Sequence, residues 1–344
     1  MKRAAFIDVL RGIAILLMVV DHIFDWLLDE ASRSGTVFGI THFLGTLAAP
    51  LFLFLAGFGL ALSFGRGGPF FRKALHVVQR GLTLVLAGYL INFVVYFNGA
   101  NPQEIMAVDV LPAIGLSLIL CLPLAKLPFW LTGMLTLAGA VAGQWLGATA
   151  VLPDGLAAYL TGRSTVASYF PLLVWFPYAW LGLTVAKAFT AAANPRRFMQ
   201  GLALLGLLLI AAVPLVNPGM GYRHPRPVFL CFSSAILFWL TAAIWWATDR
   251  LLSRSQILFA LQEMGKASMM LYVFHHLVGY RLYLLLGWAS GRSFQGDFGI
   301  FGPWVTTLLF VVMVLLMLTA AYLWNRRSSE YSPAALFNTA PKQG

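Results

Sequence analysis

The chain has 344 residues, of which 60% are hydrophobic and only 10% charged, against roughly 25% charged in a typical soluble domain. Its apolar runs are continuous and about 20 residues long, which excludes a soluble globular fold and the short alternating segments of a β-barrel. The formal net charge of +11 raises a nucleic-acid reading, which the placement of the basic residues makes unnecessary.

Taken in chain order, the apolar runs cover 10–29, 41–64, 73–97, 105–125, 127–149, 167–188, 199–216, 228–248, 266–288 and 302–324. They predict an all-α polytopic integral membrane protein of about ten transmembrane helices. A single membrane domain is expected over 1–324, with a short cytoplasmic tail at 325–344. An even number of spans puts both termini on one side. Seventeen of the 23 Lys and Arg residues fall on that side, so it is assigned to the cytoplasm by the positive-inside rule. The protein is expected in the inner (cytoplasmic) membrane, without nucleic acid as a partner. The opening Met1-Lys2-Arg3 and its apolar run are interrupted by Asp21, His22 and Asp25, with no clean small-x-small cleavage site. The run is expected to stay as the first helix.

That first helix carries the strongest chemical signal. Arg11 and His22 are eleven positions apart, which on a helix leaves them ~20° apart in azimuth and ~16 Å apart along the axis. Asp8, Asp25 and Asp29 fall within ~60° of the same stripe. Charged groups in a membrane helix cost several kcal/mol unless they face protein or water, so this stripe is expected to line an interior. Asp25, one turn beyond His22, is expected to orient its imidazole as a general base.

His42 opens the second run, at a height similar to that of His22. With Asp25 and Asp29 it is a candidate member of a proton-transfer centre, or else an interfacial histidine facing headgroups. Pro50 and Gly57 in the same run suit a kink and close helix approach. The loop between the second and third runs clusters Arg66, Arg72, Lys73 and Arg80 near the basic side. Topology alone accounts for them, and a phosphate cradle for an anionic cosubstrate is the sharper reading. Asp109 begins the fourth run and is expected to pair with a basic group. Arg223, His224 and Arg226 lie on the opposite side, where topology does not favour them, and suit an anionic acceptor, a lipid phosphate or a helix cap. The mixed stretch from Ser255 to Glu263 is expected along the interface. In the ninth run, Ser268, Tyr272 and His275 share one helical face, with His276 beside them. Cys121 and Cys231 lie in apolar runs and read as core residues, and no metal site is expected.

Several of these segments resemble the transmembrane acyltransferase superfamily. Asp8-x-x-Arg11-Gly12 with His22 is similar to the first-helix motif of acyltransferase family 3. His42 to Gly57, with its Ala-Pro-x-Phe-x-Phe-x-x-Gly core, resembles the second helix of bacterial proteins related to heparan-α-glucosaminide N-acetyltransferase. Gly265-Lys-Ala-Ser268-x-x-x-Tyr272-x-x-His275 resembles a late-helix signature of both groups, and Tyr222 to Pro227 is a fainter match to the second. The resemblance implies transfer of an acyl group, usually acetyl, from cytoplasmic acyl-CoA to a hydroxyl or amine on the far side. Under it His22, Asp25, His42 and His275 are the catalytic candidates, and Arg11, Arg66, Arg72, Lys73 and Arg80 would bind acetyl-CoA, the acyl-donor cosubstrate. The partners implied are acyl-CoA, a glycan or small-molecule acceptor, membrane lipid and, in a homo-oligomer, a second copy. A proton-coupled transporter or flippase, using the Asp/His seam as a relay, is the alternative.

Overall fold

The computed structural model describes residues 5–96, 105–149, 152–162, 168–215, 227–282, 285, 288 and 299–330. Among them the fold is all-α, as expected: α1 (Ala5–Leu27), α2 (Thr36–Gly45), α3 (Ala48–Gly65), α4 (Phe70–Tyr96), α5 (Val110–Leu120), α6 (Phe129–Ala148), α7 (Asp154–Thr161), α8 (Leu172–Ala191), α9 (Pro195–Ala212), α10 (Pro227–Leu251), α11 (Gln256–Lys266), α12 (Ser268–His275) and α13 (Pro303–Glu330). Arg223, His224 and Arg226 lie outside the described residues.

Among the described residues, seven helical stretches are long and apolar enough to cross a membrane, or eight if the bent pair α11–α12 is one span. The sequence reading gave ten, and the difference has two sources. Helix α1 has the length, with 23 residues, but Asp8, Arg11, Asp21 and Asp25 interrupt its apolar character. Helix α5 has the composition but only 11 residues, or ~16 Å against a hydrocarbon core of ~30 Å. Asp109 ends it sharply on one side, its Oδ1 accepting from the Val110 N–H at 2.7 Å as an N-cap.

The second apolar run is a 30-residue stretch, Thr36–Gly65, broken at Thr46 and Leu47 into α2 and α3. Pro50 explains the break: it has no N–H to give to the carbonyl of Thr46, so it fits only in the first turn of a new helix. The stretch from Ser255, expected along the interface, forms helix α11, whose Ser255 hydroxyl caps the Leu258 N–H at 3.2 Å. It meets the following helical segment, Ser268–Tyr280, at 80°.

The chain forms two compact units. In the unit of Leu47–Trp246, α3 packs on α8, α4 on α5, and α6 on α8. Glycines make the α3–α8 approach possible. A Cβ on Gly57 would strike the Ala179 carbonyl, and one on Gly182 would strike that of Phe54. Some of the polar groups inside are satisfied locally. The Tyr178 hydroxyl is 2.7 Å from Ser233 Oγ, and the Lys187 ammonium donates to the carbonyls of Leu124 at 2.6 Å and Leu127 at 2.5 Å.

In the unit of Ala4–Thr46 and Ala247–Gly344, α1 is the central element, packed on α11, α2 and α13. A Cβ on Gly12 would strike the Leu261 carbonyl, and one on Gly265 that of Asp8, so α1 and α11 meet backbone to backbone. The segment after α1 is pinned by Asp29 N–H to Phe301 O at 3.0 Å and Phe301 N–H to Leu27 O at 3.1 Å. Asn325 lies on α13 and donates to Glu263 Oε2 at 2.8 Å, while Lys266 pairs with Glu263 Oε1 at 2.5 Å. The α-helical conformation thus continues past 325, the start of the expected tail, as far as Glu330.

Candidate active site: a histidine cluster

Three imidazoles converge in the α1 unit. Helix α1 supplies His22 and, one turn on, Trp26, while α12 supplies Tyr272 and His275. His276 opens a π-helical turn, His276–Tyr280, a local widening often found at functional positions. Gly279 in that turn lies against the Trp26 ring, where a Cβ would come within 2.8 Å of the indole. The absence of a side chain there lets the turn close on α1.

His22 Nδ1 is 3.1 Å from His275 Nε2. The ring centroids lie 5.1 Å apart for His22 and His276, and 4.2 Å apart for His275 and His276. Trp26 stands 5.0 Å from His22 and stacks on His275 at 6.2 Å with a 12° interplanar angle. Tyr272 closes the other side, 4.8 Å from His276. His275 and His276 are fully buried, at 0% and 1% exposure, whereas His22 is only partly buried.

The hydrogen-bond chain fixes the tautomers. A carbonyl oxygen only accepts, so His275 Nδ1–H donates to Leu271 O at 3.2 Å. In the neutral ring, Nε2 of His275 then carries a bare lone pair and accepts from His22 Nδ1–H. Neutral His22 is left with an unprotonated Nε2, the form required of a general base or nucleophile. His276 differs, because neither of its buried ring nitrogens has a hydrogen-bond partner among the described residues.

The structure rearranges the other expected residues. Asp25 does not hold His22. It is exposed and accepts from Arg33 Nη1 at 3.1 Å, while its backbone carbonyl accepts from Nη2 of the same arginine. The nearby guanidinium, stacked over Phe38, takes the carboxylate away from the imidazole. His42 lies on α2 and pairs with Asp21 Oδ1 at 3.1 Å, its ring stacked on Phe38. The residues of the expected centre are parted: His22 groups with His275 of α12 and His276 of the π turn, His42 is held by Asp21, and Asp29 caps the Ser32 N–H at 2.8 Å. Arg11 is on α1, as expected, in an ion pair of 3.2 Å with the buried Asp8.

The basic loop belongs to the Leu47–Trp246 unit. Arg66, Arg72 and Arg80 are exposed, and Gly67 and Gly68, at φ 73° and 96°, turn the chain between α3 and α4. Lys73 is turned inward, its ammonium donating to the Ser63 carbonyl at 2.6 Å and the Phe64 carbonyl at 3.2 Å. It thereby serves as a cationic cap on the end of α3. Sequence reasoning placed His275 and His276 together in the ninth run but gave a catalytic role to His275 alone, and it left Trp26 aside. The signal for His276 was its adjacency to His275 with Gly279 three residues on.

A family model described as heparan-alpha-glucosaminide N-acetyltransferase, catalytic, matches residues 3–216. The match takes in Arg11, His22 and His42 and stops short of His275 and His276. A comparison with curated proteins found no match.

Proposed function

The chain belongs to the heparan-alpha-glucosaminide N-acetyltransferase catalytic family and is a multi-pass membrane acyltransferase, and from that premise we propose that it moves an acetyl group from acetyl-CoA to an amine or hydroxyl of a glycan or small-molecule acceptor, with His22 as the general base. The observation that carries the role of His22 is the chain from Leu271 O through His275 to His22 Nδ1. It leaves Nε2 of a partly buried imidazole unprotonated.

In this mechanism Nε2 takes the proton of the acceptor O–H or N–H as that atom attacks the thioester carbonyl. The new C–O or C–N bond forms, the C–S bond breaks, and the departing thiolate receives the proton from His22. His275 is the positioning residue. It keeps the proton of His22 on Nδ1 and accepts more strongly when the ring becomes an imidazolium. The Trp26 indole, its ring centroid 5.0 Å from that of His22, is within cation–π range of that transient cation.

Arg11 lies on the His22 stripe of α1 and supplies a guanidinium for the donor's phosphates. Arg66, Arg72 and Arg80 offer exposed positive charge in their own unit, suited to anionic groups of the donor or of lipid. The basic asymmetry of the sequence supports a cytoplasmic donor side, cytoplasmic termini and an inner-membrane location. The acceptor named in the family description, a glucosaminide, makes an amino sugar the first to try.

The test is transfer of labelled acetyl from acetyl-CoA in vesicles containing the protein, with amino-sugar and hydroxyl acceptors offered separately. Label in an acetylated acceptor is the expected result. Label that stays on CoA with every acceptor and several acyl chain lengths overturns the proposal.

A further inference from the structure

The His276 ring poses a problem that the acyl-transfer reading leaves open. Both nitrogens are buried without a hydrogen-bond partner among the described residues, and leaving a buried polar group unsatisfied is destabilising. One ligand nitrogen from each of His22, His275 and His276 lies within 4.8 Å of the others. We infer that these three imidazoles form a binding site for a divalent transition-metal cation of the Zn2+ class.

The donor set fits that class. Borderline cations such as Zn2+ take imidazole readily, three protein ligands leave a fourth position for water or another ligand, and Zn–N bonds are roughly 2.0–2.1 Å. Tetrahedral geometry at that length needs nitrogens roughly 3.3 Å apart. The His22–His275 pair, at 3.1 Å, is already near it, and the widest pair has to close by at most roughly 1.5 Å from its 4.8 Å limit. The Leu271 carbonyl supplies the support typical of a ligating histidine. It binds Nδ1–H and presents the bare Nε2 of His275 to the cluster. Trp26 and Tyr272 wall the group with apolar surface.

Occupancy has a chemical consequence, which rests on the proposed role of His22. A cation on His22 Nδ1 needs that nitrogen's lone pair, so the single ring proton, held there by the contact with His275 in the metal-free state, moves to Nε2. That nitrogen is no longer a base, so the metal-bound state is inactive in acyl transfer and the site works as an inhibitory one.

The experiment uses full-length protein in detergent micelles, stripped with chelator and titrated with Co2+ alone, followed by visible d–d absorption and by metal content after desalting. The expected result is saturable uptake of one Co2+ per chain with a tetrahedral spectrum, displaced by Zn2+. His276→Gln weakens uptake by roughly tenfold or more, while His76→Ala, on an exposed face of α4, binds like the parent. No saturable uptake by the parent protein, or unchanged uptake by a folded His276→Gln, overturns the site. If His276→Gln does not fold, carbethoxylation of the parent decides: bound Co2+ should protect His22, and unprotected His22 overturns the site. Metal binding is read without acyl-CoA and transfer is read in chelator, so the two proposals fail separately. Transfer that persists at full Zn2+ occupancy overturns the inhibitory role.

Discussion

His22 and His275 stand 253 positions apart in sequence and 3.1 Å apart in space, and the proposed chemistry rests on that contact. A general base contributes on the order of 10²–10⁴ to rate, so His22→Gln should lower kcat by about that factor without unfolding the protein. His275→Gln should cost about 10²-fold, because a misplaced base loses alignment although it stays present. Its signature is a fall in kcat with the KM for acetyl-CoA nearly unchanged. Asp25 is 52% exposed and engaged with Arg33. Asp25→Asn should therefore stay within a few-fold of the parent rate and change stability by less than about 1 kcal/mol, measured by thermal melting in detergent. The sequence placed Asp25 beside His22 because helical spacing reports azimuth and height along one helix. It does not report that an arginine from the next turn of chain will claim the carboxylate. The late-helix face was legible in the Ser268, Tyr272, His275 spacing. The π turn that brings in His276 has no periodic signature.

At the scale of elements, the apolar runs located most helices to within a few residues, because burial in lipid needs length and composition and both are written locally. Breaks were legible only where a residue forces them. Pro50 marks a boundary that the structure uses, whereas the sequence reading did not foresee the cap role of Asp109, and the 80° bend between α11 and Ser268–Tyr280 lies where both pack against α1 and α13. Close approach is the other feature set by tertiary contact. Gly265→Ala would place a Cβ against the Asp8 carbonyl, a backbone atom that cannot swing away. It should destabilise the α1–α11 pair by roughly 1–3 kcal/mol, seen as a lower melting temperature. Gly201→Ala, where nothing lies within 4 Å, should leave it unchanged or raise it slightly. Because α1 carries His22, the Gly265 variant should also lose transfer rate, more steeply than its loss of folded protein explains.

For the whole molecule, the family match over 3–216 includes the first-helix motif but not His275 or His276, so two of the three clustered histidines lie outside it and only the fold brings them to His22. The basic asymmetry is a global property of the chain and predicts the sidedness that the chemistry needs. With Cys121→Ser and Cys231→Ser as background, Gln343→Cys should react with a membrane-impermeant maleimide only after the membrane is opened. Labelling of intact cells would place that terminus outside and reverse the proposed direction of transfer. The most direct test of the account is the single-turnover rate of acetyl transfer by the parent, His22→Gln and Asp25→Asn proteins, compared at equal folded amounts in chelator. The account predicts a rate near the parent's for Asp25→Asn and a loss of about 10²–10⁴ for His22→Gln. A His22→Gln protein that transfers acetyl at the parent rate would contradict it.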